Sequence, residues 1–167
     1  MGELTVHINK RFFLEVCIGI EGLCAELYHY YSRIYENVPE ASRLWKKTAL
    51  EEENHQKQFE LALRLISETE FSISKESLKR AYLIQQNLQN LLEQHKNNKP
   101  DLLAAVTKAV EMEEKLADLH AHSSLHFSEE SMQSLFNSLN KADFDHVAEM
   151  QRYRNNLFFP PCETGGN

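Results

Sequence analysis

Six acidic and imidazole side chains stand where the hydrophobic pattern of this chain leaves little room for solvent. Glu21 lies in line with Cys17, Cys24 and Tyr28, so that a carboxylate interrupts an apolar stripe. Glu52 and His55 are three residues apart and share a helical face with Thr48 and Phe59. Glu113 falls between Met112 and Leu116, with Glu111 and Glu114 close by. Asp143 and His146 repeat the acid-x-x-His spacing, with Phe136 and Met150 on the same side. Burying even one ionised carboxylate costs on the order of several kcal/mol, so four together need compensation that two imidazoles supply poorly. Two divalent cations would cancel the four negative charges. Mixed oxygen and imidazole ligation suits iron or manganese better than thiolate-seeking metals, and open positions on such ions are where dioxygen or peroxide binds.

The elements that must carry these residues are helices. Phe13, Val16, Cys17, Ile20, Leu23, Cys24, Leu27, Tyr28 and Tyr31 recur at three- and four-residue intervals, which predicts a first helix over 9–36. Pro39 breaks it, because proline disfavours the α conformation in the residue before it. A second helix to about Glu68 offers Leu44, Trp45, Thr48, Leu50, Phe59, Leu63 and Ile66 to the core. After the polar linker Thr69 to Ser74, with Ser74 as cap, a connecting helix over 75–96 carries Leu78, Tyr82, Leu88, Leu91 and Leu92. A third bundle helix starts at Asp101, an N-cap, and runs through Leu103, Val106, Val110, Met112, Leu116 and Leu119 to about Ser123. Ser128 with Glu129 and Glu130 marks the start of the fourth, which holds Met132, Leu135, Phe136, Leu139, Phe144, Val147 and Met150 and stops before Pro160. The expectation is an all-α domain over 1–159 followed by a flexible tail, 160–167.

The acidic positions belong to a weak internal repeat. Ile20, Glu21, Cys24, Ala25, Glu26, Leu27, Tyr28 and Ser32 align without gaps on Met112, Glu113, Leu116, Ala117, Asp118, Leu119, His120 and Ser124. Trp45, Glu52, His55 and Phe59 align in the same way on Phe136, Asp143, His146 and Met150. Two hairpins, each with a lone acid and then an acid-x-x-His, would arrange their polar residues around a pseudo-twofold axis.

This pattern, one Glu from each of two helices and a carboxylate-x-x-His from each of the other two, resembles the ferritin-like superfamily, most closely its rubrerythrin-like branch. The similarity covers residues 9–155. Ala49, Glu52, His55 and Phe59 look like the AxxExxHxxxF of the family's second helix, and Glu21, Cys24 and Tyr28 like its ExxAxxxY. The resemblance implies a ferritin-like antiparallel four-helix bundle, with an additional helix in the crossover between the second and third bundle helices that lets those two run in the same direction. It implies two iron ions per chain, with manganese or zinc as substitutes. Glu21 and Glu113 would be terminal carboxylates, Glu52 and Asp143 bridging carboxylates, and His55 and His146 imidazole ligands; the four carboxylates would be the catalytic set. Peroxide, dioxygen or Fe(II) would be the small substrates, and a homodimer the assembly. Three departures stand out. Asp143 is one methylene shorter than the usual Glu, and His120 replaces a Tyr, as a partner of the ligands or an extra ligand. The family's ExxE on the third helix matches Glu111 and Glu114 and so competes with Glu113. The rubredoxin domain of true rubrerythrins has no counterpart, so the reductant would be a separate electron-donor protein.

Composition closes off other classes. The chain has 167 residues and a net charge of −7, with no basic cluster, which argues against nucleic acid as a partner. Cys17, Cys24 and Cys162 form no CxxC, so neither a disulfide framework nor a zinc ribbon is expected. No apolar run suits a membrane helix and residues 1–10 carry no signal-like segment, so the expected location is cytoplasmic.

Blander readings of the same residues are structural. Cys17 and Cys24 are expected as small core residues and Tyr28 as core with a polar handle. His122 and His126 are expected to be exposed, and Glu51 and Glu53 to form a solvated face. The leading function is a peroxide-reducing or Fe(II)-oxidising di-iron oxidoreductase. Its alternatives are a ferritin-like iron-storage protein and a metal-free helical-bundle adaptor.

Overall fold

The computed structural model describes residues 10–66, 73–125, 127 and 129–159. These form five helices: α1 (Lys10–Ile34), α2 (Pro39–Leu65), α3 (Lys75–Asn97), α4 (Leu102–Ser124) and α5 (Glu130–Phe158). The chain is all-α among the described residues, and no helix of them is long and apolar enough to cross a membrane. Ser128, His126, Cys162 and the expected tail lie outside the described residues, as do 69–72 of the linker.

The helix ends follow local chemistry. Val38 lies outside the helical region (φ −117°, ψ 89°) and Pro39 takes the first turn of α2, where its missing N–H is not needed. The Ser74 hydroxyl accepts from Ser77 N at 3.1 Å and the Asp101 carboxylate from Ala104 N at 2.7 Å, capping α3 and α4. α2 ends at Leu65, short of Glu68, because Ile66 turns extended.

Cross-helix contacts give the directions. Early α1 meets late α2 through Arg11 and the Leu63 carbonyl, and late α1 meets early α2 through Ser32 and Ser42. These helices are therefore antiparallel. The pairs His120–Asp143 and Glu113–His146 make α4 and α5 antiparallel, and Glu21–His120 with Tyr28–Glu113 do the same for α1 and α4. It follows that α2 and α4 run in the same direction. α3 makes this possible by returning along the outside of α1, with Phe12 on Tyr82 (5.9 Å between rings) near one end and Lys96 on Glu26 (2.6 Å) towards the other. A Cβ at Gly19 would stand 2.6 Å from the side-chain amide of Gln85 on α3, which would have to swing aside.

The core is layered. Tyr28, Tyr31 and Trp45 fill one end, and Phe13, Phe59, Phe127 and Phe136 the other, with the acidic and imidazole residues between them. Each such buried aromatic contributes about 1.5–3 kcal/mol of hydrophobic stabilisation, which holds the polar layer in place. Three candidate core residues lie outside it: Leu50, Tyr82 and Phe144 are exposed.

Candidate metal centre

All six sequence-derived candidates are buried: Glu21, Glu52, Glu113 and Asp143 are inaccessible, and His55 and His146 nearly so. α1 contributes Glu21, α2 contributes Glu52 and His55, α4 contributes Glu113, and α5 contributes Asp143 and His146. Their ligand atoms form two triads, Glu21–Glu52–His55 and Glu52–Glu113–His146, with the atoms of each within 4.8 Å of one another. Glu52 belongs to both. In the first, His55 Nδ1 is 3.2 Å from Glu52 Oε2 and 3.5 Å from Glu21 Oε2. In the second, His146 Nδ1 is 3.0 Å from Glu52 Oε1 and 3.3 Å from Glu113 Oε2. The two imidazole rings stack with centroids 5.8 Å apart.

Asp143 stands in neither triad. Its Oδ2 accepts from His120 Nδ1 at 2.6 Å, and His120 Nε2 points to Glu21 Oε1 at 3.4 Å. His120 thus links the shorter acid to the first triad. Tyr28 donates its hydroxyl proton to Glu113 Oε1. The competition on α4 is also decided: Glu111 pairs with Lys108 in solvent and Glu114 is exposed beside Gln151, leaving Glu113 as the inward acid.

The expectation that Glu51 and Glu53 form a solvated face holds in part: both side chains are 38% exposed, but each is paired with a histidine. Glu51 accepts from His146 Nε2 at 2.7 Å, turning Nδ1 inward, and Glu53 bonds His29 Nε2 at 2.7 Å. Nothing in the local pattern of α2 signals this, because the partner of Glu51 is 95 residues away on α5. His122 is half-buried, contrary to the exposed reading. Cys17 and Cys24 are free and buried, as expected of core residues.

Electrostatics tie these groups together. Burial, reinforced by the charge of Glu113, raises the Glu52 carboxyl to about 8. Burial raises Asp143 to about 6 despite the pull of His120. Burial works against ionised Glu21 too, but His120, His55 and Glu52 outweigh it and hold this carboxyl well below the usual range. Burial disfavours charged imidazoles, yet the acids prevail: Glu21 and Glu52 raise His55 to about 10, Asp143 raises His120 to about 10, and Glu113 with Glu51 raises His146 further. Without cations, burial therefore favours the neutral form of Glu52, and the neighbouring acids favour the protonated forms of His55, His120 and His146.

Protons leave the layer incompletely satisfied. Oδ1 of Asp143 is buried without a partner, and Oε1 and Oε2 of Glu21 and Oε1 of Glu52 meet imidazole nitrogens at 3.4, 3.5 and 3.0 Å without hydrogen-bonding them. Orphaned carboxylate oxygens facing imidazole nitrogens from four helices are a donor set that fits divalent cations. Replacing the protons by two such ions would give the oxygens of Glu21 and Glu52 partners and free both Nδ1 lone pairs. No protein-family model matches the chain, and neither a curated protein nor a solved structure matches it.

Proposed function

We propose that this chain is a rubrerythrin-like di-iron oxidoreductase on a ferritin-like bundle, reducing hydrogen peroxide or oxidising Fe(II) with peroxide or dioxygen. The observation that carries the reading is the sharing of Glu52 between two buried carboxylate–imidazole triads. Glu21 and His55 would hold one ion, Glu113 and His146 the other, and Glu52 would span them; Asp143 completes the charge balance from beside His120. Iron bound there would supply two-electron redox chemistry and the open positions for the oxidant.

The protein's own contribution is positioning and exclusion. Tyr28 fixes Glu113 through its hydroxyl, and Glu51 fixes His146 through Nε2. His120 holds a proton at Nδ1 against Asp143, beside the Glu21 carboxylate. The aromatic layers on either side keep bulk water out, which strengthens every charge interaction in the site. Electrons would come from a separate donor, and a homodimer is the assembly to look for on a sizing column.

The test is metal analysis of protein produced with iron. It should bind about two ions per chain and show oxo-bridged ferric absorption that peroxide drives and a reductant bleaches. A colourless protein that takes up no Fe(II) would sink the proposal.

A further inference from the structure

An uninterrupted series of aromatic rings leads out of the polar layer, and the metal-centre reading makes no use of most of it. Tyr28, bonded to Glu113, stacks on Trp45 with centroids 5.6 Å apart and planes at 17°. Trp45 meets Tyr31 at 5.0 Å, and Tyr31 meets the half-buried Tyr30 at 6.1 Å. The Tyr31 hydroxyl lies 2.6 Å from Nδ1 of His95 on α3, in a buried contact between two helices 64 residues apart in sequence.

Core aromatics are usually only packing, but two details are unlike packing. Trp45 keeps its indole N–H buried with no acceptor, a standing cost that hydrophobic filling by Leu or Phe would avoid. Tyr31 does not bond a backbone carbonyl, as Tyr30 and Tyr35 do; it faces a ring nitrogen able to take its proton. Burial lowers the pKa of His95, assisted by Lys108, so its neutral form is favoured. Burial raises the pKa of Tyr31, so this phenol keeps its proton until it is oxidised.

The geometry points to Tyr31 and His95 as a redox-active pair, joined through Trp45 and Tyr28 to the carboxylate layer, that passes single electrons between the protein surface at Tyr30 and the buried centre. The relay rests on the function proposed above for its oxidant, peroxide or dioxygen. Tyr31 yields one electron towards Trp45, and its O–H bond breaks as the proton moves to His95 Nδ1. The products are a neutral phenoxyl radical and an imidazolium. An external one-electron reductant then returns an electron through Tyr30, and the proton moves back to the Tyr31 oxygen. Two such passages deliver the two electrons that, with two protons from solvent, convert one peroxide into two waters. Tunnelling falls off exponentially with distance, so ring-to-ring steps of this length favour hopping over one long jump.

Two experiments test the relay separately from the metal reading. In metal-free protein, laser photo-oxidation by ruthenium tris-bipyridine should leave a long-lived tyrosyl radical in the electron paramagnetic resonance spectrum. It should be lost in Tyr31→Phe, shortened in His95→Asn, where an amide oxygen can accept the hydrogen bond but not the proton, and unchanged in Tyr153→Phe. A long-lived radical that persists in Tyr31→Phe overturns the proposal. In iron-loaded protein mixed with peroxide and frozen rapidly, the same radical should appear, and re-reduction by ascorbate should slow in Tyr31→Phe and Trp45→Phe while the initial oxidation is retained. Re-reduction unchanged in both variants overturns the relay. Failure of the iron-loaded protein to react with peroxide instead removes the function reading, and the metal-free arm still judges the Tyr31–His95 pair.

Discussion

The α1–α2 and α4–α5 hairpins carry equivalent residues but use them differently. Tyr28 reaches from the first hairpin to Glu113 of the second, and His120, its repeat equivalent, reaches back to Glu21. The pseudo-twofold relation therefore holds for these crossed contacts. It fails at the bridge. Glu52 spans both triads, whereas Asp143, one methylene shorter, stays on its own side against His120. It fails again outside the layer: Glu51 anchors His146, while its repeat equivalent is Ala142, which gives His55 no such support. A duplicated pattern can thus keep its ligand types and lose its symmetry through one chain length and one neighbouring residue.

The largest effect is expected at the shared acid. Glu52→Gln removes the one carboxylate common to both triads, so metal content should drop from about two ions per chain to less than one; two tightly bound ions in this variant would show that Glu52 is not shared. Asp143→Asn should keep both ions but weaken binding about 10- to 100-fold, measured by competition with a chromophoric chelator, because Asp143 acts from outside the triads. Equal losses in the two variants would restore the symmetric picture.

Next comes the exchange of protons for metal. If the proposed ions bind, stripping them should lower Tm by about 10 °C, from a binding contribution of about 4 kcal/mol at thousandfold saturation. Below the ordinary values of 4.5 for Glu52 and 6.5 for His55 and His120, the protonated groups contribute their full stabilisation to the metal-free fold. It is lost as pH rises through about 8 for Glu52 and about 10 for the two histidines. Calorimetry from mildly acidic to alkaline pH should therefore show the metal-free Tm falling and the gap to the loaded protein widening. A metal-free Tm that climbs through that window would contradict the assigned protonation.

The smallest effect belongs to Glu51→Gln. It should weaken one of the two ions by about tenfold and leave the other unchanged, turning a titration with Co(II) visibly biphasic. Glu53→Gln, whose partner His29 lies outside the triads, should do neither.

Much of this was legible along the chain because helical periodicity reports one face at a time. An acid inside an apolar stripe marks an inward position whatever lies opposite, which is why Glu21, Glu52, Glu113 and Asp143 could all be placed inside. Ser74 and Asp101 announced their helices because capping is chemistry among neighbours. Leu50, Tyr82 and Phe144 misled because apolar type outweighed register: at about 100° per residue, Leu50 lies on the side of α2 opposite Thr48 and Glu52.

Residue type and a period of about 3.6 are enough to specify an all-helical chain with four inward acids and two acid-x-x-His pairs. Only the packing of the helices makes Glu113 rather than Glu111 or Glu114 face the layer, puts Glu52 but not Asp143 in both triads, and gives Glu51 and His95 partners on other helices. The physical reason is reach. A carboxylate finds its partner within a few ångströms of space, and helix rotation and side-chain length, neither of which local periodicity records, set what stands there.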